Sequence, residues 1–230
     1  LLSPAYYIAS NNSFVWVAAV IICLVFGLLV NINLFGLGRM YRDRLMETFL
    51  PGAATVKKGH WQPAYEATTT ELRDVCTRED QGPYHLINTN LILVDDSEKK
   101  FRSRGGDNFI LSSLYAGSDA TQWTPTDHFD DGQMTLATAM ATSGAAANPY
   151  AGPNSQGVTR SSFISFLMFM LGLRLGLYVR NPNRASGKGQ GGPSFLLPGL
   201  LQGLFGINFK RSARFLSLSD GGHFENTAAY

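Results

Sequence analysis

The sequence has few of the residues that build disulfide frameworks or metal sites. It contains two cysteines, Cys23 and Cys76, and their positions support neither a disulfide nor a thiolate metal site. The four histidines are far apart, and none forms the i, i+4 pair of a helical zinc motif. Acidic and imidazole side chains do cluster at 127–131, but such a group on a loop is more typical of a solvated turn. We therefore predict no metal and no cofactor.

Charged residues are also scarce, at 16% of the 230 residues, and the formal net charge is +2. No run of Lys and Arg is long enough to follow a phosphate backbone, so nucleic acid is not a predicted partner. The length is sufficient to bury a substantial core. Because the chain begins at Leu1 rather than Met and ends at Tyr230 inside a motif, we expect it to be a fragment of a longer protein.

The N-terminal segment, residues 1–38, contains no charged side chain, and within it residues 14–30 contain no polar one. A bilayer-spanning helix needs about 20 predominantly apolar residues, with about 17 as the lower limit. We therefore expect a transmembrane helix over about residues 14–34. The first basic residues all follow this run, which predicts that the chain after Gly38 lies on the cytoplasmic side of the membrane. The alternative is a fully buried helix or strand of a soluble α/β domain.

Hydrophobic periodicity and turn residues predict a mixed α/β chain after Gly38. The predicted elements are an amphipathic helix at 39–50, a polar linker at about 51–80, a strand at 84–94, a short strand at 109–115, a helix of small residues at 135–147, a mostly buried apolar helix at 161–179, a flexible loop at about 183–194, a hydrophobic helix at 196–209 and a strand ending at Asp220.

The C-terminal segment places a carboxylate where an apolar strand ends. Asp220 is followed at once by Gly221 and Gly222, which can take positive φ and leave no side chain between the carboxylate and an approaching group. His223 and Asn226 then add polar side chains to the same short segment. The alternative is a simple turn, in which Asp-Gly is favoured for backbone reasons alone.

Three pieces of the sequence, over roughly residues 39–230, resemble the patatin-like phospholipases, which are serine lipid acyl hydrolases. The Asp-Gly-Gly at 220–222 is similar to the motif of that family whose aspartate is the base of a Ser-Asp dyad. Residues 139–149 resemble the family's small-residue segment, which ends in proline and packs near the active site. Residues 219–226, together with 41–45, are similar to a membrane-associated bacterial branch.

This resemblance implies the C-terminal part of a three-layer α/β/α catalytic domain over residues 39–230, preceded by the membrane-associated segment 1–38. It implies that Asp220 is the general base of the dyad. The other residues that it places around the site are the active-site loop residues Gly221, Gly222, His223 and Asn226. Because small residues let a helix approach a ligand closely, Ser143 and Gly144 at the end of the small-residue helix are candidate cleft residues, and the alternative for this run is tight helix packing. We expect His223 to fix the loop by a hydrogen bond, with Asn226 as its partner, rather than to complete a Ser-His-Asp triad.

The family's nucleophile lies in a Gly-x-Ser-x-Gly elbow, and this sequence contains no such pentapeptide. Ser118 follows Gly117 but is followed by Asp119 and Ala120, where the closing glycine belongs, and Ser143 lacks the flanking glycines. A serine hydroxyl needs a positioned base, and most of the rate comes from oxyanion donors. In members of this family the elbow and the Gly-rich loop that resembles an oxyanion hole lie N-terminal. The resemblance therefore implies that the nucleophile and the oxyanion donors lie upstream of Leu1.

The predicted function is the C-terminal part of a membrane-associated serine acyl hydrolase. Its expected partners are a phospholipid or lysophospholipid substrate and a membrane bilayer. The alternative is a membrane-anchored structural or interaction domain that kept the fold and lost the chemistry. A transporter or channel fragment would need several spans, and only one apolar run here is convincing.

Overall fold

A curled, six-stranded antiparallel sheet organises the chain in the computed structural model, which describes residues 13–52, 56–59, 64–75, 84–151, 158–184 and 192–227. Its strands are β1 (Leu86–Ile92), β2 (Gly106–Ser112), β3 (Tyr115–Ser118), β4 (Gln122–Pro125), β5 (Leu177–Arg180) and β6 (Phe215–Asp220). They lie side by side in the order β4-β3-β2-β1-β6-β5, and every pairing is antiparallel. The prediction of a mixed α/β chain is confirmed, whereas the finer assignment to a patatin-like three-layer domain stays a prediction.

The register of the adjacent strands β1 and β6 places a leucine pair on the face that packs into the main core. Leu91 of β1 pairs with Leu218 of β6, and both side chains are fully buried in the main hydrophobic core. Thr89 pairs with Asp220 in the same ladder, two residues nearer the end of β6. Because side chains alternate along a strand, this register also places Asn90 beside Ser219 on the other face.

The helices described are α1 (Ser13–Leu29), α2 (Leu37–Phe49), α3 (Lys99–Arg104), α4 (Leu136–Ser143) and α5 (Ser162–Met170). Helix α4 lies against β1 and β6, and α2 packs against α4. The buried residues Ala137, Ala139 and Ala141 make this close packing possible, because their side chains are small. Thr135 caps α4 by accepting a hydrogen bond from the backbone N–H of Thr138 at 3.2 Å. The predicted helices at 39–50 and 135–147 are therefore confirmed, with slightly different ends.

The N-terminal apolar run forms α1, but this helix ends at Leu29. The side chain of Asn31 accepts a hydrogen bond from the backbone N–H of Asn33 and begins a separate 3₁₀ turn, Ile32–Leu34. Among the residues that the structure describes, no helix combines the length and the apolar character needed to cross a membrane. The transmembrane helix predicted over residues 14–34 is therefore not supported.

The predicted linker at 51–80 is more ordered than expected where it is described. It contains two 3₁₀ turns, Tyr65–Thr68 and Leu72–Asp74. Ala67 and Leu72 are buried, and Leu72 belongs to the main core. The polar composition of residues 51–80 gave no indication that Ala67 and Leu72 would be buried.

The predicted apolar helix at 161–179 is wrong in its second half. Helix α5 ends at Met170, Gly172 has a left-handed backbone with φ of +65°, and the chain then enters β5. A left-handed residue ends a helix, and glycine adopts that conformation without steric cost.

The predicted helix at 196–209 is reduced to a short π-helix, Gly199–Leu204. Glycines weaken helices, and this stretch contains several of them. Most of the loop predicted at 183–194 lies outside the described residues.

Candidate functional site

Asp220 lies at the end of the buried strand β6, where the sequence predicted it. Its backbone N–H donates a hydrogen bond to the carbonyl of Ala145 at 3.2 Å, which joins the strand to the chain that follows α4. Its carboxylate oxygen Oδ1 accepts a hydrogen bond from the backbone N–H of Gly222 at 2.7 Å. This bond caps the 3₁₀ turn Gly221–His223 and fixes the carboxylate relative to the strand.

The two glycines after Asp220 are required for space and not for an unusual backbone. Neither has positive φ, so that part of the prediction is wrong. A Cβ atom on Gly221 would lie 2.6 Å from the carbonyl oxygen of Asn88 on β1, which is too close. A Cβ atom on Gly222 would lie 3.1 Å from Oδ1 of Asn226, a milder contact. The glycines therefore let the turn pack directly on β1.

Tyr41 of α2 reaches the same place. Its hydroxyl donates a hydrogen bond to the carbonyl of Gly144 at 2.8 Å, and a Cβ atom on Gly144 would lie 2.7 Å from that hydroxyl. Burial raises the pKa of Tyr41, and the negative charge of Asp220 raises it further. Segments around Tyr41, Gly144 and Asp220, far apart in sequence, therefore meet at one end of the sheet.

His223 does not form a triad with Asp220. Its Nδ1 lies 3.2 Å from the hydroxyl of Ser219, which also accepts a hydrogen bond from the side chain of Asn90 at 3.1 Å. Burial lowers the pKa of His223, and the charge of Asp220 opposes that shift. His223 therefore ties the loop to β6, as expected, but its partner is Ser219 and not Asn226.

Neither serine considered from the sequence is placed as a nucleophile for Asp220. Ser143 donates its hydroxyl hydrogen to the carbonyl of Asn88 at 2.7 Å. Ser118 is fully buried, shares a hydrogen bond with Thr121, and lies on β3, which β2 and β1 separate from β6. Among the hydrogen bonds of the described residues, none joins the Asp220 carboxylate to a serine hydroxyl.

An apolar groove of about 520 Å³ opens beside this end of the sheet. Ser143 and Gly144 lie on its wall, as the sequence predicted for a cleft. The other residues that line it are Leu50, His85, Leu86, Ile87, Asn88, Leu136 and Met140. Its size is within the range of small-molecule sites, and its apolar walls suit a hydrocarbon chain.

The acidic segment at 127–131 is only partly the solvated turn that the sequence predicted. Asp131 is exposed and forms an ion pair with Arg180, whereas Asp130 is half-buried. Burial raises the pKa of Asp130, and the charge of Arg180 opposes this shift. Within the described ranges, no group of three or more His, Cys, Asp or Glu side chains could hold a metal ion.

Sequence reasoning gave Tyr41 no role of its own, although it lies in one of the segments that resemble patatin-like phospholipases. Asn88 accepts from Ser143 through its carbonyl and donates its side-chain amide to the carbonyl of Glu225 at 3.3 Å, so it connects α4 to the C-terminal loop. A polar residue between Ile87 and Thr89 in the predicted strand was the available signal for Asn88.

Comparison with known proteins gives no further assignment: no family model matches the chain, and neither a curated protein nor a solved structure is significantly similar to it.

Proposed function

We propose that this chain is the C-terminal part of a membrane-associated serine acyl hydrolase that cleaves phospholipid or lysophospholipid esters. Asp220 is the general base, and the serine nucleophile lies upstream of Leu1. In this proposal the membrane is a bacterial inner membrane, with the chain after Gly38 on its cytoplasmic side.

One observation carries the proposal. The three segments that resemble patatin-like phospholipases contribute Tyr41, Gly144 and Asp220 to a single site, although nothing in their sequence spacing requires them to meet. An apolar groove lies beside that site, as a lipid substrate would need. If the three segments resembled the family only by chance, there would be no reason for them to lie together at one end of the sheet.

The geometry of Asp220 suits a base that takes a proton directly from a serine. Among the described residues, the hydrogen bond to the carboxylate reaches Oδ1, which leaves Oδ2 for the serine hydroxyl. In the proposed reaction the serine oxygen attacks the ester carbonyl while its proton passes to Oδ2. The leaving alcohol then takes that proton, and water hydrolyses the acyl-enzyme with Asp220 acting as base again.

The decisive test uses the longer protein that includes the upstream segment. Replacement Asp220→Asn should lower turnover of a lysophospholipid by roughly 10²–10⁴-fold, because a general base contributes about that factor. Asp119→Asn, which removes the same charge from an exposed turn, is the matched control and should retain activity. Activity that survives Asp220→Asn would exclude Asp220 as the base.

The present chain alone is expected to show no esterase activity. Turnover of a short-chain nitrophenyl ester by residues 1–230, abolished by Asp220→Asn, would show that the nucleophile lies within this chain. The absence of a Gly-x-Ser-x-Gly upstream of Leu1 would contradict the hydrolase and favour a non-catalytic domain of the same fold.

A further inference from the structure

Three segments that pack together contain no charged residue: 13–38, 161–173 and 192–209. The nearest charged residue on each flank of these segments, wherever the sequence has one, is basic: Arg39, Arg160, Arg174, Lys188 and Lys210. A fourth charge-free stretch, 132–159, lies outside this group and is bounded by Asp131 on one side. Arg174 is buried within the protein, and the other basic positions are complementary to anionic phosphate groups at the edge of a hydrocarbon layer.

The three segments pack against one another, and we call them together the apolar unit. The backbone N–H of Leu196 donates to the carbonyl of Gly27 in α1 at 3.0 Å. The rings of Phe35 and Phe195 lie 5.8 Å apart in an edge-to-face arrangement. The segment 161–173 joins both, since the carbonyl of Gly172 accepts a hydrogen bond from Leu37 and α5 packs against the π-helix Gly199–Leu204.

The apolar unit exposes large hydrophobic side chains from each of its segments. In α1 the consecutive residues Val20, Ile21 and Ile22 are each more than half exposed, although they point in directions about 100° apart. Phe163 of α5 is 69% exposed, and Phe205 after the π-helix is 59% exposed. An exposed apolar surface of this extent is unfavourable in water and marks an interaction site.

Exposure around most of the α1 circumference decides which partner fits. A folded protein partner covers one face of a helix and leaves the opposite face in water. Lipid chains surround a helix on all sides, which matches a helix that is apolar all round.

We propose that the apolar unit is embedded as one body in the hydrocarbon of a phospholipid membrane, with Lys210 at the level of the headgroups. This extends the proposed membrane association from α1 to α5 and to residues 192–209. The proposed embedding does not depend on catalysis by Asp220. The vesicle-binding test and the Asp220→Asn turnover test can therefore give independent answers.

The test places single tryptophans on different parts of the unit. Trp16, Trp61 and Trp123 are first replaced by Phe, and Phe163→Trp or Phe205→Trp is then introduced. The control reporter is Leu114→Trp, at a side chain that is 51% exposed but lies between β2 and β3, outside the unit. The protein is mixed with phosphatidylcholine–phosphatidylglycerol vesicles whose acyl chains carry bromine, a contact quencher of tryptophan.

We expect the reporters at 163 and 205 to lose most of their emission and the reporter at 114 to keep it. Equal emission from all three reporters would overturn the proposal. A companion variant, Trp61→Phe with Trp123→Phe, keeps Trp16 of α1 as its single tryptophan. Quenching of Trp16, with no quenching at 163 or 205, would equally overturn the embedding as one body.

A second measurement tests the headgroup level. Lys210→Gln should weaken partitioning into vesicles rich in phosphatidylglycerol by about fivefold, the contribution of one basic residue near such a surface. The matched control is Lys99→Gln, at an exposed lysine on α3. Equal effects of the two substitutions would contradict the placement of Lys210.

Discussion

The Asp220 end of the sheet and the apolar unit both consist largely of apolar and small residues, but these residues have different surroundings. At the sheet end, Leu91 and Leu218 are fully buried by other parts of the same chain. In α1, Phe26 is 64% exposed. The first region is therefore stabilised by its own contacts, whereas the second depends on the medium around it. The predictions below test this difference.

The largest expected effect is a loss of stability on Leu218→Ala. Removing a fully buried leucine should lower the free energy of unfolding by about 2–5 kcal/mol, through lost burial and the cavity that remains. The control is Phe26→Ala in α1, which should change it by less than about 0.5 kcal/mol in mild detergent. Urea unfolding followed by circular dichroism measures both, and equal losses would remove the contrast between the regions.

A smaller effect is expected at Arg174, whose buried guanidinium joins the two regions. It donates hydrogen bonds to the carbonyls of Ile32 and Gly176. Arg174→Met removes both bonds and leaves the Ile32 carbonyl with only the 3.4 Å bond from the backbone N–H of Phe35. It should cost about 1.5–3 kcal/mol, typical of hydrogen bonds to a charged group. The same substitution at the exposed Arg44, which forms a surface ion pair with Glu47, should cost about 0–1 kcal/mol. Similar losses of unfolding free energy for the two substitutions would show that the hydrogen bonds of Arg174 do not stabilise the contact between the two regions.

Glycine substitutions should separate the closely packed turn at Gly221 from an open position at the edge of the apolar unit, Gly192. Gly221→Ala places a methyl group 2.6 Å from the Asn88 carbonyl and should cost about 1–3 kcal/mol, typical of overpacking. In the apolar unit, a Cβ on Gly192 would meet its nearest neighbour, the Asn31 amide, at 3.6 Å, an ordinary contact. Gly192→Ala should therefore leave the stability nearly unchanged. Thermal melts in detergent compare the Tm of the two variants, and a larger drop in Tm for Gly192→Ala than for Gly221→Ala would contradict the prediction.

The smallest expected effect is a pH dependence from His223. Burial lowers its pKa below the ordinary value of 6.5, so the unfolded chain binds the proton more readily than the folded chain does. The contribution to stability is complete above pH 6.5 and is lost as the pH falls below that value. His223→Gln should flatten this part of the stability curve, and the same substitution at the exposed His128 is the control. A steeper slope in His223→Gln would contradict the assignment.

Local patterns predicted several elements correctly. The strand around Leu91, the strand that ends at Asp220 and the small-residue helix before Gly144 each follow from residues that are neighbours in sequence. The same patterns placed Asp220 at a strand end and Gly144 beside a groove. These features depend on short-range periodicity and turn chemistry.

Long-range contacts were not predictable in the same way. The antiparallel strand order depends on pairings such as Leu91 with Leu218, which are far apart in sequence. The bond from Tyr41 to Gly144 and the burial of Arg174 depend on the same tertiary packing. Arg174 in particular looked like an interruption of an apolar helix, whereas it follows the end of that helix and bonds to carbonyls of neighbouring segments.

The position of Arg174 also determines how far the carboxylate can move relative to the apolar unit. Arg174 holds the Ile32 turn against the chain that enters β5, and β5 is hydrogen-bonded along its length to β6, which carries Asp220. This path runs through a buried side chain and paired strands with no loop between them, which favours a fixed distance between the carboxylate and the apolar unit. Under the proposed function and the proposed embedding, such a base would reach only ester bonds at one depth below the membrane surface. Regiochemistry among the esters of a lipid would then follow from a distance within the protein.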